Sequence, residues 1–358
     1  MKIILNDIVC KENLYPFTLT RSAADIRIGI LTIREKWETL LGKKIYTISE
    51  IAEKENEDVK RIPANIIPSH KWLKEWKHNE VFDSPKFNPI KIEYPWHIFQ
   101  NNDLAIREDF DLITRKRKSK KISSTNTVIG KNIFLEEGAT VKHSILNASY
   151  GPIYIGENAK VMEGCTIRGP FAMCEGSILK MGAKVYGATT LGPYCIAAGE
   201  IKNSILFGYS NKSHDGYLGD SVIGEWCNLG AGTSNSNIKN TAGNVKIWND
   251  FKKEYISAGF KCGLLMGDYS RAAINTSFNT GTVVGVASNV FCNGFPPTFI
   301  ESFSWGNKKY ELEKALEHIE NWKKLKGHIL SEEEKKILSD IYHQKKKCVN
   351  KLLQLTGK

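Results

Sequence analysis

Residues 155–197 read IGENAKVMEGCTIRGPFAMCEGSILKMGAKVYGATTLGPYCIA, and every sixth one is apolar: Ile155, Val161, Ile167, Met173, Leu179, Val185, Leu191 and Ala197. Against a hydrophobic content of 41%, eight such positions in a row have odds of roughly one in a thousand for a preset frame, so this period is the main structural signal. The frame extends back to Ile129, Leu135 and Val141, with a two-residue insertion near Tyr150-Gly151. It returns at Met266, Ala272, Phe278, Val284 and Val290. Gly repeatedly follows the apolar position (Ile129-Gly130, Ile155-Gly156, Leu191-Gly192, Ile223-Gly224, Val284-Gly285), which predicts a positive-φ turn there.

Periodicity of this kind resembles the left-handed parallel β-helix of the hexapeptide acyltransferases. The resemblance implies a triangular coil with one inward aliphatic residue per face, coils stacked at strand spacing, helices over the open end, and a homotrimer. Two amphipathic stripes supply the helices. Tyr310, Leu312, Leu316, Ile319 and Trp322 form the first. Ser331-Glu-Glu-Glu334 is a capping box opening the second, with Ile337, Leu338, Ile341, Tyr342, Val349 and Leu352 on one side. Packing on the end of the rod is the expectation; a partner-binding helix is the alternative.

Ahead of the repeat, the first 115 residues alternate short apolar runs (Lys2–Asn6, 44–48, 65–67, 90–92) with helical patterns (49–57, 69–76, 108–115), predicting an open α/β layer. Ser22-Ala-Ala-Asp25 is a capping box for a helix carrying Ile26, Ile30, Ile33, Trp37 and Leu40/Leu41, stopped by Gly42. The run LYPFTLTRSAADIRIGILTIREKWE (14–38) resembles the start of a sugar nucleotidyltransferase, but DIVCKEN (7–13) stands where that family has its Gly-rich phosphate loop, and no Lys follows Arg21. Arg21 and Arg27 are candidate phosphate ligands; for Arg27 and Arg34, solvated helix charges are the equal alternative.

The formal charge is +11, but its distribution removes the nucleic-acid reading. RKRKSKK (115–121) contributes +6, and thirteen Lys against eight acidic residues from Asn307 to Lys358 contribute +5, so the remainder is neutral. A solvated linker explains the heptamer better than a polyanion patch. Eight Cys without a C-x-x-C pair or a secretory start point to reduced thiols and a cytoplasmic setting. No apolar run approaches the ~20 residues of a membrane span. The organisation read from these signals is an α/β domain over 1–115, a basic linker over 116–125, the β-helix over 126–305 and a helical hairpin over 306–358.

The candidate site lies in 199–232, GEIKNSILFGYSNKSHDGYLGDSVIGEWCNLGAG, where a Ser/Asn/Lys stretch reads as a flexible loop leading into His214. Singly, each residue has a bland explanation: His214 a surface residue, Lys202 an exposed rod lysine, Asn228 a turn residue, Tyr217 a cover for the coil edge. The ordered set with its gaps favours function. E-I-K (200–202), H-D-G-Y-L-G-D (214–220) and N-L-G-A-G-T (228–233) are similar to the acetyltransferase half of the bifunctional enzyme family that makes UDP-N-acetylglucosamine, with the same order of segments.

The resemblance implies His214 as general base; Lys202, Tyr217, Asn228 and, with poorer flanking agreement, Lys184 as sugar-phosphate contacts; and Ala231 and Asn237 beside acetyl-coenzyme A. The chemistry agrees. An amino sugar must lose a proton before it attacks a thioester, imidazole exchanges protons near neutral pH, and a backbone N–H in Gly230-Ala231-Gly232 suits a developing oxyanion. Residues 126–300 hold only His143 and His214, against the three His per site that metal catalysis on such a fold requires.

The segment KNTAGNVKIWNDFKKEYISAGFKCGLL (239–265) departs from that family and reads as a hairpin, over the sugar site or toward a neighbouring subunit. Three functions stay in play: hexosamine 1-phosphate N-acetylation with coupled nucleotidyl transfer from UTP or dTTP, which alone would call for Mg2+; a nucleotide-sugar pyrophosphorylase trimerised by its β-helix; and a non-catalytic sugar-phosphate or nucleotide sensor.

Overall fold

A computed structural model of the chain describes residues 2–50, 59–78 and 89–355. The end of the helix expected at 49–57 and the side chains of Val349 and Leu352 lie outside the described residues. From Thr127 onward the chain is a parallel solenoid of three stacked faces: a nine-stranded first face starting at Ile133–Leu135, a ten-stranded second starting at Thr140–Val141, and a six-stranded third starting at Thr127–Ile129. The sixfold frame is the inward register. Leu135, Ile155, Met173, Leu191, Leu206, Ile223, Met266, Val284 and Ile300 stack in order along the first face, each under 9% exposed. Ile129 is the exception. It pairs with Asn147 while Val128 pairs with Leu146, so it points outward at the open edge and is 44% exposed.

The glycines after the inward residues serve a different purpose from the one expected. Only Gly130 of the five has positive φ; a Cβ on Gly192 would overlap the Phe207 carbonyl, and one on Gly285 would overlap Ser302, so these positions are glycine because the next coil lies against them. The left-handed residues come two positions later. Asn158, Tyr194, Tyr209, Trp226, Tyr269, Ala287 and Phe303 all have φ between 54° and 61° and form the corner between the first and second faces.

That corner receives the two C-terminal helices, Leu312–Lys324 and Glu332–Leu355. Tyr310, Ala315, Ile319, Leu338 and Ile341 pack on Trp226, Tyr269, Val286 and Phe303, and Lys326 Nζ reaches the carbonyls of Tyr194 and Tyr209. The hairpin thus runs along the side of the solenoid, burying its apolar stripe on the stacked aromatic corner. The Ser331/Glu334 capping box forms as expected.

The N-terminal segment is an α/β layer whose strand Lys2–Asn6 pairs in parallel with Tyr46–Thr47 and Val59–Pro63. Its first long helix, α1, is Ile33–Leu41 rather than a helix from Ser22. Ser22 caps only a three-residue turn, whereas Thr32 and Glu35 form the capping box that starts α1, and Gly42 ends it at φ 65°. Residues 26–32 are held as a loop from a distance: the Asp109 carboxylate accepts the amides of Ile30 and Leu31 and pairs with the buried Lys36 ammonium. A second pair of helices, Trp96–Gln100 and Asn102–Thr114, lays Asn102 against Ala188 and Thr190 of the solenoid.

One apolar core therefore spans both parts of the chain. Leu5, Phe17, Ile28 and Trp37 share it with Ile205, Phe207, Val222, Leu265 and Val283 from the outward side of the first face. The segment 239–265 contains a hairpin, Lys246–Asn249 against Glu254–Ser257, and Val245, Ile247 and Ala258 place it in this same core.

Candidate active site on the third face

The third face gathers three of the sequence-predicted residues. Its register aligns Lys184 with Glu200 and Tyr217, and Tyr186 with Lys202 and Gly219, while Val185, Ile201 and Leu218 between them point into the core. Lys184, Lys202 and Tyr217 accordingly emerge on one surface. Lys202 Nζ lies 5.8 Å from the Tyr186 ring centre, and the Tyr186 hydroxyl donates to Glu200 at 2.5 Å. That bond to a carboxylate, with burial, pushes the Tyr186 phenol up to about 12.

At the far edge of the face, Asp220 accepts from the carboxamides of both Asn203, at 2.6 Å, and Asn237. A carboxylate only accepts, so each carboxamide turns its NH2 toward Asp220, and the orientation of both amides is fixed. Asn237 also donates to the Tyr217 hydroxyl at 3.1 Å. The phenol proton is then free for an acceptor outside the network, and burial followed by the Asp220 charge pushes Tyr217 up, keeping it a neutral donor. Two ammonium groups and a phenol O–H thus face outward on one surface, each a hydrogen-bond donor.

His214 occupies the corner between the second and third faces. It lies between strands Asn211–Lys212 and Tyr217–Gly219, is exposed, and is one coil from Ala231, because Asn211 registers with Asn228 and Gly232 N donates to Asp215 O. The stretch before it is no loop: Asn211–Lys212 is a regular solenoid strand between Ile196–Ala197 and Asn228–Leu229. The Gly230–Gly232 turn beside it is backbone without bulk, with Gly232 at φ 72°.

Other predicted residues are dispersed. Asn228 faces outward on the second face, where Asn211 donates to it at 3.4 Å and Lys326 holds Asn211, so it belongs to the side covered by the C-terminal helices. Asn237 sits at the opposite edge of the third face from Ala231, beside Tyr217. Arg21 pairs with Glu225 at 2.8 Å and with Asp268, which also takes the Thr20 hydroxyl at 2.5 Å. Arg27 binds the Ile30 carbonyl and lies near Cys174 and Glu35. Neither is on a helix, and both guanidinium groups are turned into the protein, fastening the N-terminal segment in place. The sequence reading passed over Asn203, Asp220 and Tyr186. Asp220 had a signal, as the last residue of H-D-G-Y-L-G-D; Asn203 and Tyr186 become visible only through the register that stacks them.

The fold is a parallel solenoid with an α/β segment docked along one face, and parts of the chain are similar to known proteins. Residues 3–75 match the sugar nucleotidyl transferase family. Over 221 residues, 62% of this chain and 47% of the relative, the sequence is 28% identical to the bifunctional protein GlmU of Methanococcus maripaludis. The GlmU of Methanococcus aeolicus is 34% identical over 113 residues (32% of this chain, 27% of the relative), and the bifunctional sugar-1-phosphate nucleotidylyltransferase/acetyltransferase of Sulfurisphaera tokodaii 34% over 96 (26% and 23%). The chain is similar to this GlmU-like group over part of its length, and the matches span less than half the length of each of these relatives. The solved polySia-specific acetyltransferase NeuO aligns at 13% identity with a TM-score of 0.27, over 52% of this chain and 82% of that one, a likeness too slight to carry weight.

Proposed function

We propose that the chain transfers an acetyl group from acetyl-coenzyme A to the amine of a hexosamine 1-phosphate. The observation that carries this reading is the placement of Lys184, Lys202 and Tyr217 on one surface next to the corner that bears His214. In the reaction, Lys184, Lys202 and the Tyr217 hydroxyl hold the sugar phosphate. His214 takes the proton from the attacking amine as the C–N bond forms, and returns it to the departing thiolate as the C–S bond breaks. The backbone of Gly230-Ala231-Gly232, without side-chain bulk, admits the thioester beside the imidazole and directs an N–H at the oxyanion. A homotrimer in the cytoplasm is the corresponding assembly and setting.

Nucleotidyl transfer by the N-terminal segment, with UTP or dTTP and Mg2+, is the second activity this reading allows, supported by the match over residues 3–75. Against it stand the inward-turned Arg21 and Arg27.

A thiol-release assay with acetyl-coenzyme A and glucosamine 1-phosphate tests the main reading. Release with the amino sugar and none without it is the expected result; no release with any hexosamine 1-phosphate refutes it. In the same assay Lys202→Ala raises the KM for the sugar phosphate on the order of tenfold, the worth of one charge-assisted contact, with kcat little changed. An unaltered KM removes Lys202 from the phosphate cradle.

A further inference from the structure

The interior row of the second face runs Val141, Val161, Leu179, Ala197, Lys212, Leu229, Ala272, Val290. Seven are apolar. The exception, Lys212, falls on the inward position six residues after Leu206 and six before Leu218, and is 2% exposed. An ammonium inside a solenoid is costly, and an apolar side chain of similar volume would fill the place at no such cost. The use of the charge is visible in its bond among the described residues: Nζ donates to the carbonyl oxygen of His214 at 2.6 Å.

The backbone around that corner shows why the bond matters. Three consecutive carbonyls leave it. That of Asp215 accepts the amide of Gly232 in the next coil, and that of Gly216 accepts the amide of Glu200 in the previous one. The His214 carbonyl has no backbone donor among the described residues, and Lys212 supplies the missing one. The His214 imidazole is exposed and makes no hydrogen bond among the described residues, so its position is inherited from the backbone beneath it.

We infer that Lys212 is a positioning residue of the active site, pinning the His214 carbonyl from inside the solenoid and so fixing the corner from which the imidazole projects. This rests on the acetyl-transfer reading, in which His214 must meet the amine in a narrow range of positions, and an error near 1 Å costs on the order of a hundredfold. The ammonium sits among apolar neighbours in its row, with Asp215 the charged group acting on it. Burial lowers its titration to about 8, partly offset by Asp215, so the anchor is fully charged below that pH and loses its charge as the pH rises through it.

Lys212→Met tests the inference, read by hydrogen exchange of the segment 209–219, by thermal unfolding and by acetyl-transfer kinetics. Expected are an unchanged or raised melting temperature, exchange at 213–217 faster on the order of tenfold, and kcat lowered on the order of tenfold at unchanged KM for the sugar phosphate. A side chain that merely filled the core would leave both the exchange at 213–217 and the kcat-to-KM split alone. Unchanged exchange overturns the anchor whatever the activity; faster exchange with undiminished kcat overturns its catalytic use. Faster exchange in a chain whose wild type acetylates no amino sugar sinks the acetyl-transfer reading and leaves the anchor standing. Should Lys212→Met not fold, the wild type serves: raising the pH through about 8 accelerates exchange at 213–217, after correction for the intrinsic rate, relative to strand Val222–Glu225, and equal acceleration of both overturns the inference.

Discussion

Replacing His214 with alanine lowers acetyl transfer by a factor on the order of 10² or more, the share a positioned general base contributes. Because the side chain is exposed and holds nothing in place, the fold is indifferent to its loss; thermal unfolding and the KM for the sugar phosphate stay near wild type. The defect therefore sits in kcat, the signature of a group needed only as the amine attacks. Near-normal turnover in a thiol-release assay would remove His214 from the chemistry and leave the third face as a phosphate-binding surface without a base.

The second large effect falls on stability, at Asp109. Its carboxylate is buried with Lys36 and accepts the amides of Ile30 and Leu31. Burial pushes the Asp109 carboxyl up and the Lys36 ammonium down, and each partner's charge opposes that shift in the other. Asp109→Ala leaves an ammonium and two amides without their acceptor, and the expected loss is about 3–5 kcal/mol in a urea titration. The double change Lys36→Met with Asp109→Leu removes both charges and restores part of that loss. A single-mutant loss below about 1 kcal/mol would mean that water enters and replaces the carboxylate.

The same residue explains where the sequence could be read and where it could not. The solenoid was legible because its inward row repeats every six residues, and from Ile155 to Ala197 each apolar residue in the frame is buried. Periodicity is local, and so is a capping box, but residues 22–35 contain two boxes, at Ser22/Asp25 and Thr32/Glu35. Only a carboxylate 78 residues downstream of Leu31 decides that the first is a short turn and the second a helix start. That Lys202, Tyr217 and Lys184 emerge on one surface follows from the repeat, which sets the outward positions of each coil in register. Lys212 was hidden for the opposite reason: a lysine before a histidine suggests a solvated loop, and only its phase with Leu206 and Leu218 shows that it points inward. The inward turn of Arg21 was hidden because its partners, Glu225 and Asp268, come from coils that no local pattern connects to it, and Arg27 adds Cys174 to its nearby partners Ile30 and Glu35.

The apolar core shared by the α/β layer and the first face makes the two segments one thermodynamic body. Phe207, Val222, Leu265 and Val283 are fully covered only while the N-terminal layer lies on them, and Leu5, Phe17 and Trp37 lose their packing partners without the solenoid. Cleavage at the basic stretch 115–121 would leave two pieces still clasped. The N-terminal layer thus works as siding on the rod, seated through Ile205 and Phe207 on the coil that carries Lys212 and His214.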